Sequence, residues 1–384
     1  MLLEIVPNKI LEETKFTEHK LQTNDIIFKF LETGFKTEFE KIKQCGNYLE
    51  FALKEHQITK DIKKKLAGAN FCKNRFCPIC SWRRIRNITG QLKDAFSVIQ
   101  EKEKIATLFL TLTVSNPDVK DLKSTISKMN KSFKKMSETK AFNNAVLGYF
   151  KSIELLGDKT PKGQAHPHFH ILLVVDSKYF SSRNYLNKAE WTEMWRKALR
   201  VDYTPVVDVR RIRSKNENFS DIDSAIIETV KYSVKHSDLV KRTNEDFYYL
   251  YTQTKNLRFI SAGGILKEHL NLIKIDEDLI NLKKENEALW IEIARLIYTF
   301  QNGEYCLKEI KPPKEQKMEN EILEKNKQYV KKLYLEWLEY FDTWNLSDYD
   351  ENDLVAFIED LEKHNEFDEE IKMMKMYLRL AKRD

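Results

Sequence analysis

The segment His166-Pro167-His168-Phe169-His170-Ile171-Leu172-Leu173-Val174-Val175 joins three histidines to an unbroken apolar, β-branched run. Such a run reads as a buried strand. Side chains alternate between the faces of a strand, so His168 and His170 share one face while Phe169 and Ile171 take the other. Two imidazoles side by side on a rigid face form half of a divalent metal site. The chain has only eight histidines, and three fall in these five residues. That clustering favours a metal site over a chance surface pair.

Outward from this strand, Leu108–Ser115 alternates apolar residues with Thr and reads as another strand. Asn116-Pro117-Asp118 turns the chain and caps a helix running to about residue 140. Leu147–Leu155 is a third expected strand, and 157–163 is a turn leading into the histidines. Glu190–Arg200 reads as a short helix, Val206–Ile212 as a strand and Ile222–His236 as a helix. Ala262-Gly263-Gly264 marks a special backbone point. Beyond about residue 275 the pattern is charged and helical, Lys311-Pro312-Pro313-Lys314 reads as a linker, and Tyr329, Leu333, Trp337 and Tyr340 recur at helical spacing in a tail module.

Composition bounds the function. With 384 residues the chain has room for two or three domains, and 42% hydrophobic content supports a core. The formal charge of +6 is uneven: residues 301–384 hold 14 Lys+Arg against 21 Asp+Glu, and the preceding 300 hold 51 against 38. A basic body suits a phosphate-bearing partner. The start, MLLEIVPNKILEE, lacks a signal-peptide pattern, and no run approaches the 18 or so apolar residues of a membrane span. Five cysteines, an odd number, point to a reducing cytoplasm and to metal ligation rather than disulfides.

Four of these cysteines cluster. Cys77-x2-Cys80 is half of a zinc knuckle, and Cys72 with Cys45 would complete a tetrahedral all-thiolate site; buried free thiols are the alternative. Arg75, Arg83, Arg84, Arg86 and Trp82 surround them, as a DNA-contacting face or as a solvated helix face. A second constellation is Glu228-Thr229-Val230-Lys231-Tyr232-Ser233-Val234-Lys235. On one helix, Glu228, Tyr232 and Lys235 would share a face. That face is either solvated or a tyrosine nucleophile with supporting charges. A phenol of pKa about 10 attacks at neutral pH only when its electrophile is polarised, for example by a metal on a phosphoryl oxygen.

Phe109-Leu-Thr-Leu-Thr113-x2-Asn116, then His166-Pro-His168-Phe-His170, then Lys231-Tyr232-x2-Lys235 resemble, in order, the three motifs of plasmid rolling-circle replication initiators. These are Rep proteins of the His-hydrophobic-His endonuclease superfamily. The resemblance is greatest to the branch on small plasmids of Gram-positive bacteria, where segments similar to Cys72–Arg84 and Leu257–Gly264 recur, and it covers roughly residues 40–270. It implies an α+β fold with a five-stranded antiparallel sheet and flanking helices in a ferredoxin-like arrangement. The expected organisation is a zinc-bearing N-terminal region (1–104), a nicking domain (105–275) and a charged helical C-terminal region (276–384). The resemblance further implies that Tyr232 attacks single-stranded origin DNA, leaving a 5′-phosphotyrosine and a 3′-OH that primes host polymerase. It implies that Glu228 activates water to end the cycle, and it brings in Glu154 on the neighbouring strand as an acidic third ligand beside His168 and His170. Mg²⁺ or Mn²⁺ is the expected catalytic metal. Origin DNA, a host helicase and a polymerase are the expected partners, no membrane is expected, and a homodimer is left open. A single-strand transposase or relaxase of the same superfamily is the near alternative. A non-catalytic zinc-containing DNA-binding regulator is the distant one.

Overall fold

The computed structural model describes residues 13–57, 59–157, 159–211, 221–230, 235–270, 279–280 and 290–313. The described elements run α1 (Thr14–Glu32), α2 (Lys36–Gln44), β1 (Tyr48–His56), β2 (Ile62–Ala69), α3 (Pro78–Lys102), β3 (Ile105–Thr113), α4 (Leu122–Ser137), α5 (Lys140–Ala145), β4 (Gly148–Glu154) and β5 (His168–Asp176). They continue with α6 (Lys188–Leu199), β6 (Val207–Arg211), α7 (Asp221–Thr229), α8 (His236–Val240), α9 (Asn244–Thr254), β7 (Ile260–Gly264), α10 (Ile265–His269), β8 (Trp290–Gln301) and β9 (Glu304–Lys311).

Two antiparallel sheets organise an α+β molecule. The larger has five strands in the order β6-β3-β5-β4-β7, with the histidine strand at its centre. That central place explains the apolar run: from Ile171 to Val175 both faces are buried. Ile171, Leu173 and Val175 join Leu108, Leu110 and Leu112 of β3 in a core under α4 and α6, to which Phe133, Trp191 and Trp195 contribute. Leu172 and Val174 turn to the other face. There they pack with Phe150, with Leu92 and Phe96 of α3, and with Ala225 and Ile226 of α7. Each such side chain, fully buried, contributes about 1.5–3 kcal/mol. His168 and His170 lie on this second face, the one that α3 and α7 cover.

Gly264 explains the glycine pair. It has φ +58°, and a Cβ there would fall 2.1 Å from the Leu147 carbonyl oxygen. No other residue lets β7 close this edge against the start of β4.

The smaller sheet corrects an expectation. Residues 290–311, read as part of a charged helical region, form a hairpin that completes a four-stranded sheet in the order β2-β1-β8-β9. Leu49, Phe51 and Leu53 of β1 oppose Tyr298, Leu296 and Ala294 of β8. The hairpin turn is Asn302-Gly303, with φ of +53° and +89°. Two successive positive φ values are what a two-residue turn between twisted strands requires. The buried cluster runs without a break from Phe16 and Leu49 in this layer to Leu110 and Phe169 in the larger sheet. The expected linker at Lys311–Lys314 lies at the end of the described residues, and the tail positions Tyr329, Leu333, Trp337 and Tyr340 lie outside them. Among the described residues no helix is long and apolar enough to cross a membrane.

The expected helix Ile222–His236 is also shorter. The described helix ends at Thr229, and Lys235 has an extended backbone (φ −68°, ψ 131°) as the N-cap of α8.

Candidate functional site

Antiparallel register builds the first centre. Glu154 on β4 lies opposite His168, and Ser152 opposite His170. Residues paired across antiparallel strands point to the same face. Glu154 Oε2 is therefore 2.8 Å from His170 Nε2 and 3.3 Å from His168 Nε2, and the two imidazole nitrogens are 3.1 Å apart. Three ligand atoms converge from two strands, all largely buried. His168 Nδ1 donates to the His166 carbonyl at 2.8 Å. This bond leaves the Nε2 lone pair facing the centre, the usual device for orienting a ligating histidine. His166 thus serves through its backbone, and its own ring bonds Asn116 Oδ1 at 2.6 Å. Burial alone would push the Glu154 carboxyl up. The two imidazoles beside it, His168 and His170, outweigh burial and hold the group at about 2, so it is an anion ready for a cation.

The same face carries residues that sequence reading missed. Phe109 of β3 stacks on His170 with ring centroids 5.3 Å apart and planes at 26°. The Arg210 guanidinium of β6 lies 5.2 Å over the Phe109 ring and reaches Glu228 Oε1 at 3.3 Å. Glu228 is accordingly half-buried at the end of α7 and paired with Arg210. Ser152 Oγ donates to the Thr229 carbonyl at 2.7 Å, fastening the end of α7 to the strand that carries Glu154. The parity of Ser152 with Glu154, and of Phe109 with Thr111 and Thr113, was readable. The pairing that brings them to His170 was not. Tyr232 lies outside the described residues, three positions beyond Thr229. Lys235 is exposed, and Tyr203 accepts a hydrogen bond from the Ser115 amide at 3.1 Å.

The second centre is the cysteine cluster. Cys45 Sγ is 3.5 Å from Cys80 Sγ and 3.6 Å from Cys77 Sγ, and Cys72 Sγ is 3.6 Å from Cys80 Sγ. Thiolates around a tetrahedral ion with metal–sulfur bonds of about 2.3 Å sit about 3.8 Å apart. The four donors fit such an ion. Cys45 leaves α2 into Gly46, whose φ is +71° and whose hypothetical Cβ would strike Ile79 Cδ1 at 2.7 Å. Glycine therefore lets the first ligand pack on the helix turn that carries Cys77 and Cys80. Hydrogen bonds from the other three thiols pull the Cys72 thiol down, while burial pushes Cys77 and Cys80 up.

The arginines divide. Arg83 is buried and donates to the carbonyls of Leu279 (2.7 Å) and Ile280 (3.0 Å). Arg84 is buried too and donates to the carbonyls of Lys73 and Asn74. Trp82 stacks on His19 at 4.5 Å and meets Phe16 edge-on at 4.9 Å. Arg83 and Arg84 are thus held by backbone carbonyls, of residues 279–280 and of the cysteine loop, while half-buried Trp82 packs on His19 and Phe16. Arg86 is exposed over Trp82, and Arg75 lies half-buried over Phe259 at 4.7 Å.

An antiparallel sheet bearing two histidines and a carboxylate, with a four-thiol cluster elsewhere in the same fold, defines a class of α+β protein with two groups that could each hold a metal ion. A family model described as "Replication protein" (Rep_1) matches residues 63–306. A "Protein rep" of Bacillus sp is 36% identical over 278 residues, 67% of this chain and 89% of that protein. Another, from Streptococcus pneumoniae serotype 2, is 32% identical over 292 residues, 73% of this chain and 88% of that one. A "Replication protein" of Staphylococcus aureus is 37% identical over 201 residues, 50% of this chain and 85% of its own. The chain belongs to this Rep family of plasmid replication proteins. No solved structure matches it.

Proposed function

We propose that this protein initiates rolling-circle replication by nicking and rejoining single-stranded DNA at a plasmid origin. One observation carries the reading. Glu154, His168 and His170 converge on the sheet face that α7 covers, and Ser152 on that face bonds Thr229, three residues before Tyr232. In this reading the Tyr232 hydroxyl oxygen attacks the scissile phosphorus and gives up its proton to solvent or a nearby base. The P–O3′ bond breaks, the 3′ oxygen leaves as a protonated 3′-OH that primes polymerase, and the 5′ phosphate stays on the tyrosine. Mg²⁺ or Mn²⁺, held by Glu154, His168 and His170, supplies Lewis-acid polarisation of a phosphoryl oxygen. Lys235 adds positive charge near the developing anion. Glu228, held by Arg210, orients a water for the second cut.

The wider picture is a five-stranded ferredoxin-like nicking domain with zinc on Cys45, Cys72, Cys77 and Cys80, acting in the cytoplasm with a host helicase and polymerase, as a monomer or homodimer. The Rep family match favours replication over transposition or mobilisation. The test is a cleavage assay on a single-stranded origin oligonucleotide with Mn²⁺. Wild type should cut, and the variants His168→Ala, His170→Ala and Tyr232→Phe should not. Undiminished cutting by the double histidine variant would refute a metal role for this centre.

A further inference from the structure

We propose that a basic cleft between the cysteine loop and the end of α9 seats the backbone of single-stranded DNA flanking the cut. The cleft encloses about 640 Å³, and its lining includes Lys41 from α2, Lys73, Arg75 and Arg84 from the cysteine segment, and Lys255 and Arg258 from the loop after α9. Six cations from three separate segments meet there, against one carboxylate, Glu38, which pairs with Lys255 at 3.8 Å. Lys41, Lys73, Lys255 and Arg258 are exposed, so their charge is available to a ligand. Convergence of this kind focuses a positive potential in a recess, which draws phosphate.

Two observations tie the cleft to the elements around the catalytic centre, the segment that leads into α8 and the strand β4. Arg75 and Phe76 also line a second cavity of about 380 Å³, whose other walls include Lys235 and His236, a few residues beyond Tyr232. The Phe259 ring under Arg75 belongs to the residue whose carbonyl accepts from the Ile153 amide at 3.0 Å, next to Glu154. A strand that lies along Lys235 and Arg75 enters the cleft. In this proposal the recess takes one backbone, with a duplex contacting only its rim. This inference rests on the reading of the protein as one that handles single-stranded DNA.

The test is equilibrium binding of the full-length Tyr232→Phe protein, without added divalent metal, to a labelled oligothymidylate of about 16 nucleotides and to a mixed-sequence duplex. The triple variant Lys73→Ala, Lys255→Ala, Arg258→Ala should bind the single strand about 10-fold or more weakly at ~0.1 M salt. Its slope of log K against log salt should fall by about 2, since each single-strand phosphate contact contributes about 0.7. Duplex affinity should change far less. A charge-matched variant at exposed lysines of the far face, Lys134→Ala, Lys135→Ala, Lys140→Ala, should match the parent. Metal content and thermal midpoint establish that each variant folds. An unchanged single-strand affinity, an equal loss on the duplex, or an equal loss in the far-face variant would each overturn the cleft. Because no chemistry occurs in this assay, a protein that fails to nick can still pass it, and the two proposals fail separately.

Discussion

Ser152 is a short side chain with a large positional consequence. Its hydroxyl is the buried donor to the Thr229 carbonyl, so Ser152→Ala leaves that acceptor unpaired at a cost of about 1–3 kcal/mol. If the bond positions the tyrosine segment, kcat for nicking should drop while KM for the origin strand stays. Ser152→Thr, which keeps the hydroxyl, should restore kcat; a purely structural role would lower stability without that split. Glu228 tests the other half of the cycle. Glu228→Ala should still nick and form the adduct, but should fail to release unit circles from a plasmid with two tandem origins. Normal termination by this variant would remove Glu228 from the water step. Lys151 offers a test of the core beneath. It is buried on the opposite face, its ammonium 3.8 Å from the Phe169 ring centroid, and burial lowers its pKa to about 7. Between about pH 7 and 10.5 the unfolded chain holds a proton that the native chain lacks, so stability should rise with pH in that window by up to about 1.4 kcal/mol per unit. Lys151→Met should lose that slope in denaturant titrations at pH 7, 8 and 9.

At the scale of elements, the cysteine knuckle and the β8–β9 hairpin hold the small sheet together. Tyr305 of β9 donates to the Gly46 carbonyl at 2.7 Å, beside Cys45, so the hairpin and the cysteine cluster share a contact. Metal analysis should find one zinc per chain. Cys77→Ser should lose it and lower the thermal midpoint markedly, because a closed thiolate site contributes folding free energy. Deleting residues 290–384 should expose the β1 edge and the Phe51 ring and give aggregated protein, whereas deleting 315–384 should keep zinc and DNA binding. Four sheet strands were legible from alternation and β-branching, because a central strand must be apolar and a hairpin must turn on polar residues. The β8–β9 hairpin was missed, although Asn302-Gly303 is a strong turn signal; the charged residues along β8, Glu292 and Arg295 included, disguised it as helix. Arg83 and Arg84 show the limit of the pattern: a run of arginines looks alike whether it meets phosphate or carbonyls, and here both donate to backbone carbonyls.

For the whole molecule, two sheets share one core, and a basic body is set against an acidic C-terminal stretch. His168 and His170 were legible because strand parity alone puts them together. The resemblance to Rep proteins added Glu154, and register brings it to them. Arg210, Phe109 and Ser152 were hidden because their approach depends on which strands neighbour β5, a property of topology that local pattern does not carry. The central claim is that this face directs Tyr232 onto a phosphodiester. The most direct measurement is mass spectrometric mapping of the covalent product formed with a single-stranded origin oligonucleotide in Mn²⁺. A peptide carrying the 5′-phosphorylated oligonucleotide on Tyr232, absent from the His168→Ala and His170→Ala variants, is the expected result. An adduct on Tyr203 or another residue, or cutting with no adduct at all, would contradict the account.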